Sequence, residues 1–272
     1  MADERRRSRA WMAGYAAATF GSFPHPLPFL GPDAVLDLGI AVSFAVPVCL
    51  VLGLRGRSLR SAAAGAFGWT VLGHGLVLHF IYVVTVTYGH APPAIGVVAP
   101  FALATYAAGL AALFAASFCW LRDRGVGNAF AAALLWTAVD HLRSFLLTGW
   151  PWATLGYAQH RNPALLGLAQ WTGVYGLSFA IVLGGIAVLE AGTALRQGRR
   201  PAGTTFAALA LCVGLHAFGL ATRPEPASGA DAIRVAAIQG NIDQGVKWDR
   251  EWILRTLAIY EDLSRRAAAE GA

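Results

Sequence analysis

The sequence predicts an α-helical multi-span membrane bundle of seven spans, N-terminus inside and C-terminus outside, followed by the first βα unit of an incomplete α/β domain. Three observations predict it. Hydrophobic residues make up 56% of 272, Gly adds 31 more and only 13% are charged, with a mean hydropathy of +0.53. A soluble domain carries about 25% charged residues, so lipid must be the solvent for much of this chain. The arginines fall in alternate gaps between apolar runs, and the composition changes abruptly after Arg223. These figures exclude a disordered chain and a disulfide-built module. The net charge of +6 is spent on membrane topology, which removes the case for nucleic acid.

The first apolar stretch, Trp11–Phe23, is too short to cross unaided at about 1.5 Å per residue. Pro24, Pro26 and Pro28 forbid a simple extension. It reads as a non-cleaved first span or as a signal peptide with the Arg5–Arg9 segment ahead of it. The apolar chain resumes at Leu27 with no convincing cleavage site, which favours the span. Six further charge-poor runs follow at Ala34–Leu54, Ala62–Tyr88, Pro92–Leu121, Gly125–Val139, Pro163–Leu189 and Ala202–Ala221. Each is measured against the roughly 20 residues a bilayer core needs.

The arginines test the count. With the N-terminus inside, the inner segments hold twelve: Arg5, Arg6, Arg7 and Arg9, then Arg55, Arg57 and Arg60, then Arg122 and Arg124, then Arg196, Arg199 and Arg200. The outer loops hold two, Arg143 and Arg161. That asymmetry obeys the positive-inside rule at every loop. The orientation is opposite to that of seven-helix receptors, and no two-halves repeat of the transporter kind is visible.

The membrane domain is expected over residues 1–222 and a linker over 223–231, including Pro224–Gly229. Residues 232–272 then open an α/β domain. Ile233–Gln239 suits a buried strand, and Asp249 can cap a helix from Arg250 to about Ala269. Ile253, Leu257, Tyr260, Leu263 and Ala267 give that helix one apolar face, and Asp262 with Arg266 forms an i, i+4 pair. One strand and one helix cannot build a buried sheet, so the domain is expected to be truncated here. The alternative is a tail lying on the membrane or docked on the bundle.

The most distinctive segment is the outer loop between the fifth and sixth spans, with Trp150, Pro151 and Trp152 between Gly149 and Gly156, then Tyr157. Tryptophans at a membrane face commonly anchor the headgroup level; a loop that lines a lipid access route is the functional reading. Arg143 could meet a phosphate through its planar fork or pair with Asp140. Asp37 and Asp140, near span ends, are expected to be solvated. His74 and His79, five residues apart, do not face one metal. Tyr82, Tyr88 and His90 are expected on one outer face. Cys49, Cys119 and Cys212 sit in apolar runs without ligand spacing and read as small buried hydrophobes. No nucleophile motif, metal site or cofactor is expected.

Leu147–Gln159 (LTGWPWATLGYAQ) resembles the TGFPW…GYSQ loop of bacterial apolipoprotein N-acyltransferases, and Gly173–Phe179 (GVYGLSF) resembles the next span. Tyr82–Pro92 resembles that family's YVS…TFGGMP stretch. Ile238–Gln244 with Lys247–Asp249 resembles its QGNIPQ…KWD segment, which opens a nitrilase-like domain. The resemblance implies an inner-membrane enzyme with the C-terminal segment on the periplasmic side. Such an enzyme moves an acyl chain from a membrane phospholipid to the α-amino group of a diacylglyceryl-modified apolipoprotein. The family's catalytic Glu, Lys and Cys would lie beyond residue 272, so no catalytic residue carries over and the chain alone is expected to be inactive. Lys247 matches the KWD position and not the catalytic lysine. Trp150 stands for the usual Phe, and His90 with Ala91 for the usual Gly-Met. Tyr82, Trp150, Trp152 and Tyr157 carry over as lipid-contacting positions, with Arg143 beside them as a substrate-binding candidate. The alternative is a non-catalytic membrane protein that binds lipid or a partner through the aromatic loop.

Overall fold

A computed structural model describes residues 2–31, 33–223, 234–247 and 249–271. The helices are α1 (Ala2–Gly21), α2 (Gly39–Val42), α3 (Ala45–Gly53), α4 (Leu59–Val77), α5 (Ile81–Val83), α6 (Pro93–Arg122), α7 (Ala129–Arg143), α8 (Pro163–Arg196), α9 (Gly203–Ala221) and α10 (Ile253–Ala269). A π turn, Val84–Tyr88, extends α5. Among the described residues the one sheet is a two-residue pairing of β1 (His25–Pro26) with β2 (Val35–Leu36), antiparallel.

Helix starts follow local chemistry. The Ser58 side chain accepts from Ser61 N at 3.4 Å before α4, and the Asn128 side chain from Ala131 N at 3.0 Å before α7. Asn162 caps α8 through Ala164 N at 3.1 Å, with Pro163 in the first turn, where its missing N–H costs nothing.

Three helices, α6, α8 and α9, are long and apolar enough to cross a membrane. A fourth span results if α4 and Ile81–Tyr88, bent by 69°, act together. Gly39–Gly53 is a shorter apolar helix, and α7 has 15 residues. The first apolar stretch is not confined to Trp11–Phe23: α1 runs for 20 residues back through the arginines, about 30 Å of helix. Backbone hydrogen bonding does not stop at a charge, and long arginine stems keep their heads in water.

One core unites α1, α3, α4, α6, α7 and α8, with Met12, Leu50, Phe114, Leu165, Ile181 and Leu183 buried at its centre. Polar contacts pin its edges. Ser8 Oγ donates to Gly53 O at 2.7 Å, and Tyr15 Oη lies 2.9 Å from Thr70 Oγ1.

Three expectations are corrected. Arg234–Gln239 form no strand, because none of the described residues offers a neighbour to pair with. Asp140 is 5% exposed, lodged among helices rather than in water. The Asp37 side chain is equally buried and lies 3.2 Å from both His160 Nε2 and Arg161 Nε. The C-terminal helix does form, from a 3₁₀ turn at Arg250–Trp252 through α10. Asp249 precedes it with an extended backbone but without a side-chain cap. Arg266 pairs with Asp262 at 2.5 Å. The linker Pro224–Gly229, Ile233 and Trp248 lie outside the described residues.

Candidate functional site

The aromatic loop leaves α7 at Arg143 and must turn at once. Gly149 takes φ 80°, and a Cβ there would sit 2.0 Å from Ser144 O, so only glycine fits. Farther on, Gly156 presses against α8 just past the bend of that helix at Gly173. A Cβ on Gly156 would lie 2.4 Å from Val174 O. Its N–H donates to Ser178 Oγ at 3.0 Å.

Arg143 organises this path. The residue is 5% exposed, and its guanidinium donates from Nε to Trp150 O at 3.0 Å and from Nη2 to Trp152 O. The group lies 5.7 Å from the Trp150 ring centroid. A planar fork reaching two carbonyls fixes both tryptophans at once. Tyr106 Oη donates to Arg143 O and Leu146 O at 3.0 and 2.8 Å, tying the loop to α6.

Behind the loop lies a cavity of about 50 Å³, bordered by Tyr15, Thr70, His74, Asp140 and Arg143 together with apolar side chains. His74 Nδ1 and Asp140 Oδ2 are buried there without hydrogen-bond partners. The volume exceeds what one water needs, about 10–15 Å³, so the chamber has room to satisfy these atoms with solvent.

In front of the loop lies an open groove of about 580 Å³, bordered by Phe23, Val77, Leu78, Phe80, Trp152 and Tyr157 among others. Trp152 and Tyr157 are half exposed, and Trp152 lies 5.6 Å from the Phe80 ring. Trp150 does not border the groove: it packs against the Leu78, Ile81 and Ala104 cluster, 6.1 Å from Tyr106 and 5.9 Å from the Trp152 ring.

The five candidate residues therefore divide. Trp152 and Tyr157 border the groove, Arg143 and Trp150 hold the loop from behind, and Tyr82 stands apart against Gly96 of α6. Sequence reasoning missed Gln159. Fully buried, it donates to Ser43 Oγ at 2.7 Å and, more weakly, to Gly39 O and Ile40 O, while accepting from Asn162 Nδ2 at 2.8 Å. It fastens the end of the loop to α2. A buried amide inside an apolar stretch was the available signal.

A sequence model of the apolipoprotein N-acyltransferase N-terminal domain matches residues 10–187. The chain belongs to this family. That match contains the loop, the groove and the cavity behind it. Curated relatives named apolipoprotein N-acyltransferase agree. One from Geobacter metallireducens is 36% identical over 225 residues, covering 82% of this chain and 43% of the relative. One from Azotobacter vinelandii is 35% identical over 258 residues, covering 91% and 49%. One from Nitrosomonas europaea is 33% identical over 247 residues, covering 83% and 46%. The chain thus spans about half the length of the curated relatives it matches.

Proposed function

We propose that this chain is the membrane half of an apolipoprotein N-acyltransferase and that its groove receives the acyl chains of a phospholipid donor. The observation that carries the reading is the pairing of Trp152 and Tyr157 at a 580 Å³ groove, on a loop held from behind by Arg143. Half-exposed aromatic rings offer acyl chains apolar area while keeping polar edges at the interface. Arg143, whose Nε and Nη2 donors are committed to carbonyls, acts through the loop.

In this reading the seven apolar runs are seven spans, N-terminus in, in the bacterial inner membrane. Residues 232–272 open a nitrilase-like domain on the periplasmic side, above the groove. The acceptor is the α-amino group of a diacylglyceryl apolipoprotein. This half supplies binding and positioning; its three cysteines lie within α3, α6 and α9.

Deleting the gene in its own organism tests the proposal, with the N-termini of lipoproteins read by mass spectrometry. Lipoproteins are expected to lose one acyl chain and expose a free amine. Fully N-acylated lipoproteins in the deletion strain would overturn it.

A further inference from the structure

At the opposite end of the bundle from the aromatic loop, α1 and the α3–α4 turn enclose an open cleft of about 600 Å³. Glu4, Arg5 and Arg9 border it from α1; Arg55 and Arg57 border it from the turn. Four guanidinium groups thus converge with one carboxylate.

Their bonding is unequal. Arg57 is anchored: Nε donates to Ser8 Oγ at 2.9 Å and Gly53 O at 3.0 Å, and Nη1 to Ser61 O at 3.2 Å. Partial burial and then the nearby charge of Arg9 lower its pKa, a sign that like charges crowd here. Arg5, Arg9 and Arg55 have no carboxylate within 4 Å among the described residues. By contrast, Arg7 on the same helix pairs with Asp3 at 2.9 Å. Solvated topogenic arginines would need no concavity. These three share one with a fixed fourth, and the uncompensated charge calls for an anion.

The apolar surface beside the cleft narrows the choice. Trp11 on α1, two positions after Arg9, and Leu59 and Phe67 on α4, which starts next to Ser58 of the cleft, are exposed apolar side chains. An anion with acyl chains satisfies both the charge and that surface, which a free ion does not.

We infer that this cleft binds the phosphodiester headgroup of an anionic phospholipid, at a site separate from the groove at the aromatic loop. Basic pockets between helices at a membrane surface suit such headgroups, and guanidinium forks meet phosphate oxygens two at a time.

Native mass spectrometry of the purified chain in detergent, offered equimolar phosphatidylglycerol and phosphatidylethanolamine, tests this. Phosphatidylglycerol should be retained at least about fivefold over phosphatidylethanolamine. The preference should vanish in the triple variant R5Q/R9Q/R55Q, which leaves the anchored Arg57 in place. It should survive in R5K/R9K/R55K, which shows that the substituted bundle still folds, and in R234Q/R250Q/R266Q, which changes the net charge equally elsewhere. Equal retention of the two lipids by the parent chain, or a preference that persists in the glutamine triple, would overturn the inference. So would loss of the preference in the distant triple. Binding of millimolar inorganic phosphate without a lipid preference would make it a free-phosphate site and likewise overturn it.

Discussion

Arg143 and Trp150 bond to each other twice. Arg143 Nε donates to Trp150 O at 3.0 Å, and Trp150 N donates back to Arg143 O at 3.0 Å. The end of α7 and the start of the aromatic loop are thereby closed into one ring, with Trp152 O drawn in by the other arm of the guanidinium. Lysine keeps the charge but cannot span both carbonyls. R143K should therefore cost about 1–3 kcal/mol, the worth of one charge-assisted hydrogen bond. Hydrogen exchange at residues 149–153 should rise well beyond that in α7, and unchanged exchange there would show that the fork does not hold the loop.

Asp140 is the carboxylate bordering the same cavity as Arg143. Replacing it with leucine leaves a buried guanidinium without that compensating charge. D140L should cost about 2 kcal/mol, the scale for buried polar groups that lose their partner. D140N, which preserves shape and polarity, should cost less than half as much. Both variants remove the charge, so thermal unfolding followed by tryptophan fluorescence separates charge from polar contact: equal losses would assign the effect to the lost charge alone.

Gln159 reaches α2 from the far end of the loop. Q159L keeps the volume while leaving Ser43 Oγ and Asn162 Nδ2 without their partner. A loss of about 2 kcal/mol is expected from buried polar groups left unpaired, with faster exchange at residues 39–43. Exchange confined to residues 155–162 would show that α2 is held by other contacts.

Gly156 has no room for a methyl group: a Cβ there would meet Val174 O at 2.4 Å. G156A should push the loop away from α8 at a cost of about 1–3 kcal/mol, the usual range for overpacking. Quenching of tryptophan fluorescence by a lipid-borne nitroxide should change with it. An unaltered quenching profile would mean that α8 yields instead of the loop.

The sequence made the helical bundle legible because apolar runs and arginine gaps report the solvent on each side of the chain. It placed the aromatic loop through its Trp-Pro-Trp core and flanking glycines. It could not separate Trp150 from Trp152, since their division between core and groove depends on where the Arg143 fork pins each carbonyl. Asp140 and Asp37 looked like solvated span ends because proximity along the chain hides what folds over it. Asp37 is covered by contacts with His160 and Arg161, more than 120 positions away. The strand expected at Ile233–Gln239 has the right composition, but among the described residues no strand stands beside it. A strand is completed by neighbours and not by its own sequence.

The central claim is that Trp152 and Tyr157 receive the acyl donor. Its most direct test is N-acylation of lipoproteins in cells whose only gene copy carries W152A/Y157A, measured by mass spectrometry beside immunoblots of the protein. The account predicts that N-acylation falls by about tenfold or more at normal protein abundance, as expected when two aromatic anchors worth about 1.4 kcal/mol or more together are removed from a binding groove. Full N-acylation at that abundance would contradict it.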